Sequence, residues 1–253
     1  MDDIKLYANT LQDLYHLADI TQTFSTDIHM EFGVDKCKIQ SVKQGMLENN
    51  AYQLNNNQLI EPVDDITGYK YLGYYQTQQI QQTETKTNLM NKFKTRIHKI
   101  LNTDLNSRNI VKAINTYAIP ILTFSFGIIN WTKTDLRNLQ RIINTFLTKY
   151  RKHHPKACIQ RMTLSKDEGG RGFIDIQNLH SKQITALRKF FHNQAQHSLL
   201  HKAVTKADYK YTPLNLHDHT VQSNETITAP QQKIETWEKK ALHGRHYADL
   251  SNP

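Results

Sequence analysis

The sequence predicts a mainly α-helical fold with a small α+β part at the N-terminal end. Three observations carry that expectation. Beyond about residue 82, apolar residues recur at helical spacing. Short β-prone segments, punctuated by Gly and Asn, are confined to residues 37–75. The charge also changes sign: residues 1–80 carry 5 Lys+Arg against 11 Asp+Glu, whereas residues 81–253 carry 27 against 12. With 253 residues and 38% hydrophobic content, the chain can bury one sizeable core or two small ones. Its mixed charge excludes wholesale disorder.

From Asn9 to Met30 the apolar residues Leu11, Leu14, Leu17, Ala18 and Phe24 predict a helix, which Phe32-Gly33 breaks. Cys37 to Lys43 alternates and predicts one strand. Shorter strands are expected around Tyr52–Leu54 and Leu59–Ile60, joined by Asn55-Asn56-Asn57, and a further β segment at Tyr69–Tyr75. The polar run Gln76–Gln82 marks a boundary. After it, Leu89, Phe93, Ile97 and Leu101 form one helical stripe, with Lys92, Arg96 and Lys99 off it. A second helix is expected from Ser107, read as the N-cap, with Arg108 and Lys112 beside the stripe Ile110, Val111, Ile114, Tyr117 and Ala118. Pro120 ends or kinks it. A third is expected from Thr134, with Asp135 in its first turn and Arg137 and Arg141 on its polar face. A fourth is expected from Asp175 to His197, and a short one from Gln232 to Leu242. The polar stretch 205–232 reads as a linker.

Ala113 to Thr132 carries no charge. It holds Asn115, Thr123, Ser125 and Asn130 with Pro120 and Gly127 inside, so a buried core segment is expected rather than a membrane span. No basic segment followed by an apolar run opens the chain, so no signal peptide is read, and an intracellular location, nuclear or cytoplasmic, is the expectation. Two isolated cysteines, Cys37 and Cys158, make neither a disulfide framework nor a zinc site.

The chemistry-bearing candidates are few. Asp2-Asp3 follows an apolar residue, and paired carboxylates at a strand turn can hold a divalent cation. Asp64-Asp65 repeats the pair in an expected loop. Arg151, Lys152, His153, His154 and Lys156 form either a phosphate-facing patch or a solvated basic loop. The 15 Lys+Arg against 3 Asp+Glu in residues 81–163 favour the patch. The Gly169–Gly172 turn lacks the strand and Lys-Ser/Thr of a P-loop and is read as structural. The His217-Asp218-His219 group and His243/His246 are read as incidental, and Trp131 and Phe126 as core.

Taken in order, these segments resemble the reverse transcriptase of non-LTR retrotransposons. Met1-Asp2-Asp3-Ile4-Lys5-Leu6-Tyr7-Ala8 resembles its catalytic hairpin. Met30 through Lys38 resembles the fourth palm motif, and Tyr69-Lys70-Tyr71-Leu72-Gly73-Tyr74 the primer grip. Arg96 through Leu101, Ala113-Ile114-Asn115, Ala118 through Leu122, Phe126 through Thr132, His154 through Ala157 and Gly169 through Phe173 resemble the thumb. Trp237 through Arg245 echoes a segment after it. The resemblance covers residues 1 to about 200.

The resemblance implies RNA-directed DNA synthesis by two Mg²⁺ ions, with Asp2 and Asp3 as catalytic and metal-holding carboxylates and Lys36 as a proton donor to pyrophosphate. Tyr71, Leu72 and Gly73 would position the primer end. Lys92, Arg96, Lys99, Arg108, Lys112, Arg137, Arg141, Arg151, Lys152, His153, His154 and Lys156 would hold an RNA–DNA or RNA template–primer duplex. The implied division is a palm remnant at 1–79, a helical thumb-like domain at 80–200, and a linker with a short helix at 201–253. The family's first catalytic carboxylate and fingers have no match here. The expectation is therefore a truncated piece, catalytically incomplete alone and holding no Mg²⁺ stably. A non-catalytic nucleic-acid-binding module and an inert relic of a decayed element are the alternatives, and the oligomeric state is left open.

Overall fold

A computed structural model describes residues 4–30, 33–63, 68–77, 79–218 and 230–239. It is mainly helical with small sheets, and it divides into two compact units, one ending at Thr85 and one beginning at Lys86. No helix among the described residues is long and apolar enough to cross a membrane.

In the first unit, helix α1 spans Leu11–Asp27. Thr10 caps it by accepting a hydrogen bond from the Asp13 amide, and His29 ends it at a φ of 57° with Met30 N–H bonded back to Ser25. The expected strand at 37–43 is in fact two. β1 (Lys38–Ile39) pairs in parallel with β5 (Leu59–Pro62), while β2 (Ser41–Lys43) turns through Gln44-Gly45 onto β3 (Met46–Glu48), a strand the sequence reading missed. The segment divides because its two halves hydrogen-bond to different partners, which alternation alone cannot distinguish. β4 (Tyr52–Gln53) pairs antiparallel with β5, as the Asn-rich turn predicts, giving a sheet ordered β1-β5-β4. Ala18, Ile39, Leu54 and Ile60 form the core of these elements. Tyr15 stacks on Tyr52 at 3.9 Å, and the Tyr52 hydroxyl donates to Asp19 at 2.8 Å. That hydrogen bond, with lesser help from burial, raises the Tyr52 pKa.

The Tyr69–Tyr75 segment is a tight hairpin, β6 (Tyr69–Tyr71) on β7 (Tyr74–Gln76), closed by the two residues Leu72 and Gly73. Both have positive φ, 47° and 87°, the signature of a type I′ turn.

The second unit is built around α2 (Gln82–Leu101), α5 (Lys133–Lys149) and α6 (Ile176–Gln194). Most of the expected stripes form its core, with Phe93, Ile97, Ile114, Leu122, Phe126, Leu139 and Ile143 fully buried, but Tyr117 and Phe190, expected on the same faces, are exposed. Trp131 is buried too, donating to the Ser125 hydroxyl at 2.9 Å, so much of the uncharged run 113–132 is core as expected, although Tyr117 and Phe124 are exposed. α3 (Ser107–Ala113) is capped by Asn106, one residue before the expected Ser107. It runs into a π-turn at Ile114–Ala118 and then α4 (Pro120–Thr123). Pro120 has no N–H, and the extra residue in the π-turn absorbs that loss without ending the helix. α5 begins at Lys133, not Thr134, because Thr132 and Asp135 make a reciprocal capping box.

Gly170 is needed where it stands: a Cβ there would lie 2.2 Å from the Leu164 carbonyl oxygen. Gly169 and Gly172 have φ near 75°, so the glycine-rich stretch is a structural turn. α6 starts after the cap Asp175, and α7 (Leu199–Ala207) follows it, unforeseen in the sequence. The expected linker is corrected over 205–218. Arg188 donates to the carbonyl oxygens of Leu214, Asn215 and Asp218, and the buried carboxylate of Asp208 accepts from Thr212 and Leu216. These partners are polar, so the segment's composition resembles that of a solvated linker although it is docked. α8 spans Pro230–Glu238 rather than 232–242, and the stretch beyond 239 lies outside the described residues. Lys233 ties it down, reaching Asp175 at 2.7 Å and Thr163 at 2.9 Å.

Candidate nucleic-acid interface

Functional candidates fall in both units. In the first unit, Asp2 and Asp3 lie outside the described residues, as do Asp64 and Asp65. Lys5 donates to Gln76 at 2.9 Å and lies 5.3 Å from the ring centroid of Tyr71, alongside the β6–β7 hairpin. Tyr69, on the same hairpin, donates through its hydroxyl to the backbone carbonyl of Lys36 at 3.0 Å. Three segments separated by up to 66 residues thus meet around one hairpin: the stretch following Asp2-Asp3, the turn at 34–36 and the Tyr71-Leu72-Gly73 tip. The Lys36 side chain is exposed, and the residue meets the hairpin through its backbone carbonyl.

Leu72 marks the tip as unusual. It is 60% exposed and left-handed, where Asn or Gly is the ordinary choice for this turn. A largely exposed apolar side chain held in the left-handed region is an outlier, and strain of this kind collects at functional positions.

In the second unit most of the expected duplex-holding positions face outward. Lys92, Arg96 and Lys99 are exposed on α2, Arg108 and Lys112 on α3, Arg137 and Arg141 on α5, and Arg151 and Lys156 just beyond it. They do not all share a face. α2 and α5 run side by side in the same direction, joined at one end by Lys86 to Asp135 at 2.7 Å and at the other by the Tyr150 hydroxyl meeting His98 Nδ1. At about 100° per residue, Lys92, Arg96 and Lys99 project from the flank of α2 opposite those contacts, and Arg137 and Arg141 from the far flank of α5. The two rows therefore look outward from opposite sides of the helix pair. Arg96 also donates to the Tyr117 carbonyl at 3.0 Å, which puts its row on the side of the α3 segment.

Asp135 is partly covered, and burial alone would raise its carboxyl. Hydrogen bonds from Lys86 and Thr132 outweigh that and hold it below its usual range.

His153 corrects the sequence reading. It is 4% exposed and cannot face a phosphate. Burial lowers its pKa, and Arg171 and Arg161 lower it further. His154 is half-buried and its Nδ1 accepts from the Lys156 amide, so it shapes the loop. Arg161 and Arg171 are the residues that sequence reasoning missed. Arg171 and Lys152 line a small cleft together with Ser107, Met162 and Phe173. Burial lowers the Arg171 pKa, with Arg161 adding to it. The only linear signal was the arginine inside the glycine-rich stretch. Its meeting with Lys152 is decided by the packing of the turn on α3. Arg151 takes φ 57° in the turn that ends α5, with its amide bonded to Thr148 and that of Lys152 to Leu147.

Among the described residues no group of three or more His, Cys, Asp or Glu side chains is placed to hold a metal ion. His219, His243 and His246 lie outside them. The Mg²⁺ that the resemblance implies would rest on Asp2 and Asp3, so no catalytic step is assigned to the described residues. No protein-family model matches the sequence, nor does any curated protein or solved structure match it significantly.

Proposed function

We propose that the chain is the late palm and thumb part of an RNA-directed DNA polymerase of the non-LTR retrotransposon type, and that it holds the primer–template duplex. The observation that carries this reading is the meeting of three motif-like segments at the β6–β7 hairpin. Lys5, two residues after Asp3, lies against Tyr71, and Tyr69 is bonded to Lys36. In a polymerase of this kind the carboxylate hairpin and the turn that presents the primer end must be neighbours, because the primer 3′ hydroxyl is the nucleophile. The exposed cations of the second unit suit the other half of the task, gripping a phosphate backbone without reading sequence.

Fluorescence anisotropy of the full chain with a labelled RNA–DNA hybrid, titrated in salt, tests the proposal. The expected result is affinity that falls with a log–log slope of several units. Replacing Lys92, Arg96 and Lys99 together by alanine lowers that slope by about three units if each neutralises one phosphate. A hybrid that binds with a slope near zero, or a triple variant with an unchanged slope, overturns it.

A further inference from the structure

The α6–α7 hairpin and the segment folded against it carry features that duplex gripping does not use. Residues 176–207 contain no Asp or Glu, yet hold Lys182, Arg188, Lys189, Lys202 and Lys206. The first carboxylate after them, Asp208, is buried, with its oxygens taken by Thr212 and Leu216. Immediately beyond stand Tyr209, Lys210 and Tyr211. The two tyrosines are 64% and 81% exposed.

Tyr209 meets His217 edge-on at 4.9 Å, and His217 is bonded back to Asp208 and to the Lys206 carbonyl. Arg188 fixes the same segment through three carbonyl oxygens. Two aromatic rings are thus displayed to solvent on a backbone that is locked in place. Exposed aromatics on a rigid backbone lose little entropy on binding a flat partner.

We propose that Lys206–His217 is a stacking platform for single-stranded nucleic acid. Every base has a π-face for Tyr209 or Tyr211, and the neighbouring lysines and the absence of carboxylates in 176–207 suit a phosphate backbone. A duplex does not fit this chemistry, since its bases are already stacked on one another. The proposal is independent of the duplex-gripping reading and uses different residues.

Anisotropy of the full chain with a labelled 12-nucleotide oligouridine and, separately, with an RNA–DNA hybrid tests it. The double variant Tyr209→Leu/Tyr211→Leu is expected to bind the single strand at least tenfold more weakly, with hybrid affinity unchanged, whereas Tyr209→Phe/Tyr211→Phe retains single-strand binding. Wild-type single-strand affinity in the leucine variant overturns the proposal. So does equal loss in the phenylalanine variant. Binding that shifts instead to vesicles of phosphatidylserine and phosphatidylcholine, with none to the oligonucleotide, also overturns it and marks the surface as a lipid contact.

Discussion

Substituting Leu72 by asparagine should stabilise the β6–β7 hairpin, although it replaces an apolar residue by a polar one. Leu72 sits at φ 47° in the first central position of a two-residue turn. For a residue with a branched carbon chain the left-handed region costs about 1–2 kcal/mol, and asparagine tolerates it through local hydrogen bonding. Against that relief stands lost burial. Leu72 is 60% exposed, so less than half of the roughly 2 kcal/mol of a fully buried leucine is at stake, and a compact unfolded chain keeps part of that cover. The balance is about 1 kcal/mol in favour of Leu72→Asn. Hydrogen exchange of the Tyr69–Gln76 amides reads it directly, because these protons exchange by local opening. Exchange should slow about fivefold. Gly73→Ala, at φ 87°, should act in the opposite direction and hasten exchange. If exchange in Leu72→Asn is unchanged or faster, the turn is not strained as argued, and the case for Leu72 as a residue kept for contact falls with it.

Lys233→Ala should cost about 2–3 kcal/mol, since Asp175 is left partly buried beside an amine that is gone, and α8 should become the preferred site of limited proteolysis. Asp135→Asn removes half of the α5 capping box and the partner of Lys86; a loss of about 1 kcal/mol, read from exchange of the first α5 amides, is expected. The lowered pKa of His153 gives a sign that can be checked. Its folded value lies below the unfolded value of about 6.5, so its contribution to stability is complete above that pH and is lost as pH falls through the folded value. Thermal melts from pH 7.5 to 5.5 should therefore show a shallower pH dependence in His153→Gln than in the wild type, and an identical slope would refute the burial argument.

Local physics made much of this chain legible in advance. Helical stripes such as Leu89, Phe93, Ile97 and Leu101 are buried as their spacing requires, because a period of 3.6 residues places them on one side whatever packs there. The uncharged run through Ile114 and Phe126 is largely core because it carries no charge that would need water or a partner. Within residues 37–75 most strands but not β3 were recognisable, and their pairing was not, since the choice between β5 and β3 as partner for 38–43 depends on hydrogen bonds to other segments.

Charge was legible in amount and not in direction. The sequence lists Arg137 and Lys92 alike, yet the packing of α2 beside α5 turns them to opposite flanks. His153 reads as one more basic residue and is buried. Arg171 comes near His153 where the glycine-rich turn folds back on Leu164. Composition made 205–218 resemble a tether. Only the folded chain brings Arg188 to the carbonyls of Leu214, Asn215 and Asp218, and a polar side chain that serves as a clasp cannot be told from a solvated one until its partner is in place.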